Sequence, residues 1–203
     1  WEAEDLLRRE NPMPAITGRV CDHPCEEACN RQGFDEPVAI QGVERYLGDL
    51  ILEQPLPDHF NPWRTERIAV VGSGPAGLAC AYHLNRLGYG VTVFESDAQA
   101  GGMLRQGIPG YRLPRTVLDR QIKWLEAQGI EIRCGEGVGG GVDWESLSEF
   151  AAVFLATGAH SSRAAGMVDE KGPGVRPGLE FLRDVNRGQI PILGLRVAVI
   201  GGG

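Results

Sequence analysis

The chain has 203 residues, of which 42% are hydrophobic, and this share supplies enough apolar side chains for a core and excludes wholesale disorder. The formal net charge of −7 argues against a nucleic-acid partner, because such a partner needs a broad basic face. Glycine is over-represented: 29 of the 203 residues are glycine, about twice the average usage of about 7%. Without a collagen-like period, these glycines belong in turns and close backbone approaches, as in an α/β protein that binds a ligand.

The first 64 residues form one compositional zone that predicts a small helical domain. A short helix is expected over residues 2–9, followed by a turn-rich stretch at 11–14 and a cysteine cluster. Apolar residues recur at i+3/i+4 spacing after Pro37, which predicts a second helix from Pro37 to Glu53. Several prolines between Pro55 and Pro62 then predict an irregular linker and a domain boundary near residue 65.

The pattern after residue 65 predicts a βαβ unit and a parallel sheet. Residues 68–71 and 91–94 are apolar strand-like runs on either side of a helical pattern over 77–87. Further along, the sequence predicts a helix over 115–128, a strand over 130–133, a glycine-rich turn at 135–141, a short helix capped by Asp143, and strands over 152–156 and 196–200. The uncharged stretch 68–85 contains glycines, a proline and polar residues, so no membrane span is expected.

A glycine fingerprint connects the first of these strands to its helix. The residues Gly72-Ser73-Gly74-Pro75-Ala76-Gly77 read G-x-G-x-x-G and open a helix directly after a strand, the context that the motif requires. Gly72 permits a tight turn, Gly74 permits close approach to a pyrophosphate, and Gly77 permits close packing of helix on strand. Glu95 ends the second strand and can accept hydrogen bonds from ribose hydroxyls. A glycine-rich turn without a ligand remains the alternative.

Five cysteines divide into a cluster and two isolated residues, Cys80 and Cys134. The spacing Cys21-x3-Cys25-x3-Cys29 indicates a metal site in a reducing cytoplasm rather than a disulfide framework. Pro24 predicts the start of a helix, with Cys21 on the preceding loop. Three thiolates leave a four-ligand site incomplete, and three alternatives stay open. His23 is the fourth ligand of a zinc site, or other parts of the protein complete an iron–sulfur cluster, or the cysteines bind no metal.

These motifs resemble the glutamate synthase small-subunit family, which includes the N-terminal half of dihydropyrimidine dehydrogenase and NAD(P)H–ferredoxin oxidoreductase subunits. The resemblance rests on three stretches, namely Asn11 to Cys21 with His23-Pro24-Cys25-Glu26 and Cys29, then Glu36 to Ile40, and then Gly101-Gly102-Met103-Leu104, Gly107-Ile108-Pro109 and Tyr111-Arg112-Leu113-Pro114. It spans essentially the whole chain. The implied fold class is α/β, with an N-terminal helical iron–sulfur domain, a Rossmann-like FAD-binding domain and the start of a second, NAD(P)-binding domain.

The resemblance also implies which residues contact the cofactors. The expected FAD contacts are Gly72, Ser73, Gly74, Pro75, Ala76, Gly77, Glu95, Gly102, Met103, Arg112, Val138, Thr157 and Gly158. The resemblance assigns Cys21 and Cys25 to one 4Fe-4S cluster and Cys29 to a second, and Glu44 lies where some members of the family have a non-cysteine ligand. No Cys-x-x-Cys pair lies near the flavin motifs, so thiol–disulfide chemistry is unsupported.

The family function is electron transfer from NAD(P)H through FAD and 4Fe-4S clusters to a partner subunit or domain, either glutamate synthase large-subunit-like or ferredoxin-like. The expected division is 1–64, 65–165 and 166–203, with a second fingerprint starting at Gly201-Gly202-Gly203. The first residue is not Met and the second fingerprint stops at its first turn, so we expect a fragment with an incomplete NAD(P)H site and little activity alone. The rival hypothesis is a non-catalytic interaction domain with structural zinc.

Overall fold

A four-stranded parallel sheet forms the centre of the molecule. The computed structural model describes residues 2–164, 166–170 and 172–201. The strands are β1 (Arg67–Val71), β2 (Gly90–Glu95), β3 (Glu131–Cys134) and β4 (Ala152–Leu155), in the order β3-β2-β1-β4. Val71 of β1 pairs with Phe94 on one side and Leu155 on the other, so the carboxyl ends of three strands lie at one edge. Ligands bind at this edge in open α/β sheets.

Helices precede the sheet in the sequence, connect its strands and follow the last of them. They are α1 (Glu2–Glu10), α2 (Pro14–Val20), α3 (Pro24–Glu27), α4 (Ile40–Glu53), α5 (Pro75–Arg86), α6 (Met103–Gln106), α7 (Arg115–Ala127) and α8 (Gly178–Asn186), with 3₁₀ turns at Asn30–Gly33 and Trp144–Glu149. The βαβ unit β1-α5-β2 confirms the prediction from the apolar runs. No helix among the described residues is long and apolar enough to cross a membrane.

The N-terminal helices share one hydrophobic core with the sheet and its helices. Ile16 of α2 and Ile51 of α4 are almost fully buried in the same cluster as Leu78, Leu118 and Leu125 of the α/β unit. The side chain of Gln121 on α7 also donates to the carbonyl of Pro12, over 3.3 Å. The linker before residue 65 therefore marks a change in amino-acid composition, but the residues on its two sides pack into one core. The domain boundary at residue 65 stays a prediction.

Helices α2 and α4 touch through glycines. A Cβ on Gly18 would lie 2.5 Å from the Arg45 backbone, and a Cβ on Gly48 would lie 2.2 Å from the Ala15 nitrogen. Any side chain at either position would force the helices apart. A two-pronged ion pair also joins the helices, with Arg19 donating to both carboxylate oxygens of Asp49 over 2.7 and 2.9 Å.

Several sequence predictions for secondary structure are wrong. The sequence pattern missed α2, α6 and α8, and the helix expected from Pro37 begins at Ile40. Residues 196–200 are not a strand, since no described strand pairs with them and Val197, Val199 and Ile200 are exposed. Asp143 precedes a 3₁₀ turn but its side chain forms no cap hydrogen bond. Gly202 and Gly203 of the second fingerprint lie outside the described residues.

Candidate cofactor sites

The glycine fingerprint lies at the carboxyl end of β1, where the chain turns into α5. Gly72 has a φ of +104°, a conformation that favours glycine, and its N–H donates to the Phe94 carbonyl over 2.8 Å. A Cβ on Gly77 would lie 1.9 Å from the Gly72 carbonyl oxygen. The first and last glycines are therefore required by the fold itself, with or without a ligand.

Gly74 differs from these two glycines because the space that a side chain on it would fill is open. It precedes α5 directly, and a Cβ placed on it would meet no heavy atom within 4 Å. Pro75 and Ala76 beside it are exposed. The start of α5 thus offers free backbone N–H groups and the positive end of a helix dipole to an approaching anion. We call the open space at Gly74, between the end of β1 and the start of α5, the cradle. The residues present fit a dinucleotide pyrophosphate there, because no side chain fills this space.

Glu95 reaches back from the end of β2 into the fingerprint. One carboxylate oxygen, Oε2, accepts hydrogen bonds from the Ser73 N–H over 2.9 Å and from the Ser73 hydroxyl. The other oxygen, Oε1, accepts from the Asp97 N–H over 2.9 Å and from the Ser96 hydroxyl over 3.2 Å. Burial raises the pKa of this carboxyl, but these hydrogen bonds outweigh burial and hold the pKa below its usual value. Glu95 is an ionised, fixed acceptor at the ligand edge.

A second glycine pair places the start of α6 against the fingerprint. Gly102 has a φ of +50°, and a Cβ on it would lie 2.8 Å from the Gly74 Cα. The N–H of Gly101 donates to the Ser73 hydroxyl over 3.0 Å. Met103, the first residue of α6, follows directly. The structure therefore brings Gly102 against the fingerprint, and the contacts of Gly102 and Met103 with FAD stay predictions.

The turn after β4 also lies beside the fingerprint. A Cβ on Gly72 would lie 2.3 Å from the Ala156 carbonyl oxygen, so the Thr157-Gly158 turn adjoins the first glycine. Gly158 has a φ of +74°, and the Thr157 carbonyl contacts His160 Nε2 at 2.6 Å. The turn is therefore a neighbour of the open cradle.

Two other predicted contacts lie in different surroundings. Val138 is half-buried against the smaller apolar cluster that contains Val71 and Phe94. Arg112 is exposed in the loop before α7, and its side chain forms no hydrogen bond or ion pair within the described residues. Arg112 forms no hydrogen bond with the fingerprint residues in this structure, and its role in flavin binding stays a prediction.

A cleft of about 610 Å³ lies beside the end of β2. Its lining combines acidic and basic side chains, among them Asp97, Arg105, Asp119 and Arg187. The amide of Asn186 at the end of α8 donates to the Gln106 carbonyl over 2.7 Å and closes one side. Helix α8, which the sequence pattern missed, is thus part of the wall next to the ligand edge.

The three clustered cysteines lie in different local surroundings. Cys21 directly follows α2, Cys25 lies within α3, and Cys29 directly precedes the 3₁₀ turn, because α3 ends at Glu27 and does not reach Cys29. Gln41 of α4 holds this segment, donating from its side chain to the Cys21 carbonyl over 2.7 Å and from its N–H to Glu26 over 2.8 Å. Backbone hydrogen bonds, first from Val38, lower the pKa of the Cys29 thiol.

The cysteines do not converge on one point in this structure. Among the described residues, no group of three or more His, Cys, Asp or Glu side chains is arranged to hold a metal ion. Glu44 accepts a hydrogen bond from Asn11, whose amide also donates to the Thr17 hydroxyl over 2.7 Å. The ligand set Cys21, Cys25, Cys29 and Glu44 therefore stays a prediction.

Comparison with known families decides the relationship. Residues 66–203 match the family model described as pyridine nucleotide-disulphide oxidoreductase, which is more than half of the chain. The chain belongs to this family. Residues 1–56 match the model described as dihydropyrimidine dehydrogenase domain II, 4Fe-4S cluster. The two matches confirm the resemblance and the α/β fold class, and they imply FAD, NAD(P)H and a 4Fe-4S cluster as cofactors.

Named relatives point to the same group of oxidoreductases. The chain is 40% identical to the NADP(+)-dependent formate dehydrogenase subunit beta of Moorella thermoacetica, covering 100% of this chain and 32% of that protein. It is 39% identical to the glutamate synthase [NADPH] small chain of Mycobacterium tuberculosis, covering 100% of this chain and 45% of that protein. The chain thus spans about a third to a half of the length of these relatives.

A solved structure supports the fold. Mycobacterium tuberculosis FprA in complex with NADPH matches with a TM-score of 0.54 and 26% identity, over 61% of this chain and 29% of that one. This oxidoreductase thus has a fold similar to that of the present chain.

Two contacts at these sites were not predicted from sequence. Ser73 was expected to touch the cofactor, but its bonds to Glu95 and Gly101 depend on two loops that meet only in the fold. The contact of Asn11 with Glu44 joins residues 33 positions apart. The motif that begins at Asn11 indicated that this residue belongs to the family pattern, but it did not indicate which residue Asn11 contacts.

Proposed function

We propose that the chain is the flavin-binding and cluster-binding part of an electron-transfer oxidoreductase. In the complete protein, electrons pass from NAD(P)H through FAD to 4Fe-4S clusters and then to a partner redox subunit or domain. The observation that carries this proposal is the open cradle at Gly74, between a strand end and a helix start, in a chain that belongs to a nicotinamide-dependent oxidoreductase family.

Each residue around the cradle has a distinct task in holding FAD. The start of α5 receives the pyrophosphate through free N–H groups, and Glu95 receives hydroxyl groups of the adenosine ribose. Gly102 lets the α6 loop approach the same phosphates, because its backbone lies against Gly74. When bound, FAD accepts a hydride and passes electrons on singly, while the protein holds and orients it.

The partner is proposed from the relatives. Several are named as subunits, including a formate dehydrogenase subunit, an NADPH-Fe(3+) oxidoreductase subunit and a glutamate synthase small chain. A glutamate synthase large-subunit-like or ferredoxin-like redox partner fits this set. The five free cysteines favour a reducing, cytoplasmic setting for the complete protein.

The rival hypothesis, an interaction domain with structural zinc, has less support. It needs Cys21, His23, Cys25 and Cys29 around one ion. The match of residues 1–56 to a 4Fe-4S family model favours iron instead. An absorption spectrum with metal analysis of the full-length protein separates the two hypotheses: flavin and iron–sulfur bands with iron support our proposal, and a colourless protein with stoichiometric zinc contradicts it.

The cradle itself is tested by Gly74→Val. The added side chain has open space in the protein, so the fold should persist, but it should fill the place of the pyrophosphate and abolish FAD binding. Gly33→Val is the matched control, because Gly33 also has nothing within 4 Å and lies in the 3₁₀ turn after Cys29. FAD retained at wild-type stoichiometry in Gly74→Val would refute the assignment.

A further inference from the structure

Ser73 carries the one polar side chain of the fingerprint. This side chain has no exposed surface, although Pro75 and Ala76 close to it in the chain are exposed. Its hydroxyl contacts two groups from other parts of the chain, the Glu95 carboxylate at the end of β2 and the Gly101 N–H before α6. A buried hydroxyl in this place joins three loops of the proposed flavin site.

The direction of the Ser73 hydroxyl proton follows from its partners. The Gly101 N–H can only donate, so the serine oxygen accepts there, over 3.0 Å. The hydroxyl proton is then directed to Glu95 Oε2, which also accepts the Ser73 backbone N–H over 2.9 Å. One residue therefore holds one carboxylate oxygen with two donors, and the side chain of Glu95 cannot rotate without breaking both.

The second carboxylate oxygen is held differently. Glu95 Oε1 accepts from the backbone N–H of Asp97 over 2.9 Å and from the Ser96 hydroxyl over 3.2 Å. Ser96 is exposed, in contrast to Ser73. An ionised carboxylate offers about four acceptor sites, and these donors already occupy that number. A ribose hydroxyl must therefore displace a donor, and the exposed Ser96 hydroxyl on the longer bond is the one that can leave.

We propose that Ser73 is a positioning residue for the adenosine ribose of FAD: it fixes Glu95 Oε2, so that Oε1 accepts a ribose hydroxyl in place of the Ser96 hydroxyl. This inference rests on the proposed function, since it needs FAD at the fingerprint. It assigns opposite roles to two serines that bond the same carboxylate. Ser73 supports ribose binding, and Ser96 competes with it.

The experiment measures FAD dissociation constants by flavin fluorescence for wild type, Ser73→Ala, Ser96→Ala and Glu95→Gln. Without the Ser73 hydroxyl, FAD binding must itself order the Glu95 side chain, and we expect this to weaken FAD binding by about tenfold in Ser73→Ala. Ser96→Ala should bind FAD as well as wild type or up to about threefold more tightly, because removing one neutral competitor changes little. Thermal unfolding without FAD checks that each variant is folded, and Ser73→Gly replaces Ser73→Ala if the latter is not.

An FAD analogue whose adenosine ribose lacks both hydroxyl groups separates positioning from mere structure. If Ser73 acts through Glu95 and ribose, the loss caused by Ser73→Ala should fall below about threefold with this analogue, and it should also shrink in the Glu95→Gln background. An equal loss with FAD and with the analogue would mean that Ser73 only supports the loop at Gly101, and would overturn the inference. A loss in Ser96→Ala as large as in Ser73→Ala would also overturn it. If wild type itself does not bind FAD, the proposed function fails instead.

Discussion

The glycine fingerprint and the cysteine segment are built in opposite ways, although each is a predicted cofactor site. In the fingerprint, Gly72, Ser73 and Gly77 are packed against backbone atoms at close range, and Ser73 is fully enclosed. From residue 21 to residue 47, by contrast, no residue is buried, and hydrogen bonds from Gln32 and Gln41 hold the cysteine loop.

The contrast follows from what each cofactor needs. A dinucleotide is recognised by backbone N–H groups and close glycines, which the fold itself must place. A metal cluster is held by bonds to cysteine thiolates, and the binding of the metal supplies free energy that orders these ligands. The first kind of site exists before its cofactor arrives. The second acquires its geometry together with the metal.

The comparison predicts its largest effect at Gly77. The Cβ of Gly77→Ala would lie 1.9 Å from the Gly72 carbonyl oxygen, a backbone atom that cannot move without distorting the turn. We expect a loss of about 3 kcal/mol in the free energy of unfolding, measured by urea denaturation. Gly74→Val, in open space at the helix N-cap, should lose only about 1 kcal/mol. Equal stabilities of the two variants would contradict the distinction between structural and ligand-facing glycines.

A second prediction compares two arginines near the cysteines. Arg19 forms a two-pronged pair with Asp49 and its side chain is 10% exposed, whereas Arg31 forms a similar pair with Asp35 at 58% exposure. Arg19→Ala should cost about 2 kcal/mol of unfolding free energy, because it removes hydrogen bonds to a charged group in a partly buried helix contact. Arg31→Ala should cost less than about 0.5 kcal/mol. Equal costs for the two variants in thermal and urea unfolding would contradict the distinction between the packed helix contact and the exposed cysteine segment.

The smallest effect on stability is expected for the cysteines themselves. A triple variant, Cys21→Ser with Cys25→Ser and Cys29→Ser, changes side chains that are exposed or half-buried. In the metal-free state it should unfold within about 0.5 kcal/mol of wild type and bind FAD normally. In the full-length protein it should lose iron. Iron retained at the wild-type level would remove these residues from the ligand set, and lost FAD would show that the two regions are coupled.

The sequence predicted the sheet and the fingerprint well because their signals are local. Apolar runs of the right length precede and follow Gly72–Gly77, and the βαβ unit follows from them. Helix α2 was missed because Asn11 to Pro14 reads as a turn, although Pro14 in fact begins the helix and Gly18 lets it pack on α4. The apolar residues 196–200 predicted a strand, but a strand forms only beside a neighbour that accepts its hydrogen bonds.

The sites show the same limit. The spacing of the glycines and the position of Glu95 at the end of a strand are local features, so the tight turn and its place beside α5 could be predicted, while the FAD contacts stay predictions. The network of Ser73, Glu95 and Gly101 could not, because it depends on which loops meet at the end of the sheet. The cysteine spacing indicated a metal, but the short α3 and the hydrogen bonds of Gln41 set where the thiols lie.

The core shared between α2, α4 and α7 limits how such a protein can be recombined. Ile16 and Ile51 lie in the same cluster as Leu118 and Leu125, so the two sequence regions matched by separate family models meet along an apolar seam. A gene fusion that joined residues 1–64 to a foreign flavoprotein would carry the apolar residues of α2 and α4 without the residues of α7 that pack against them. Exchange of this module between lineages therefore requires matched changes on α7, and the two regions are expected to diversify together.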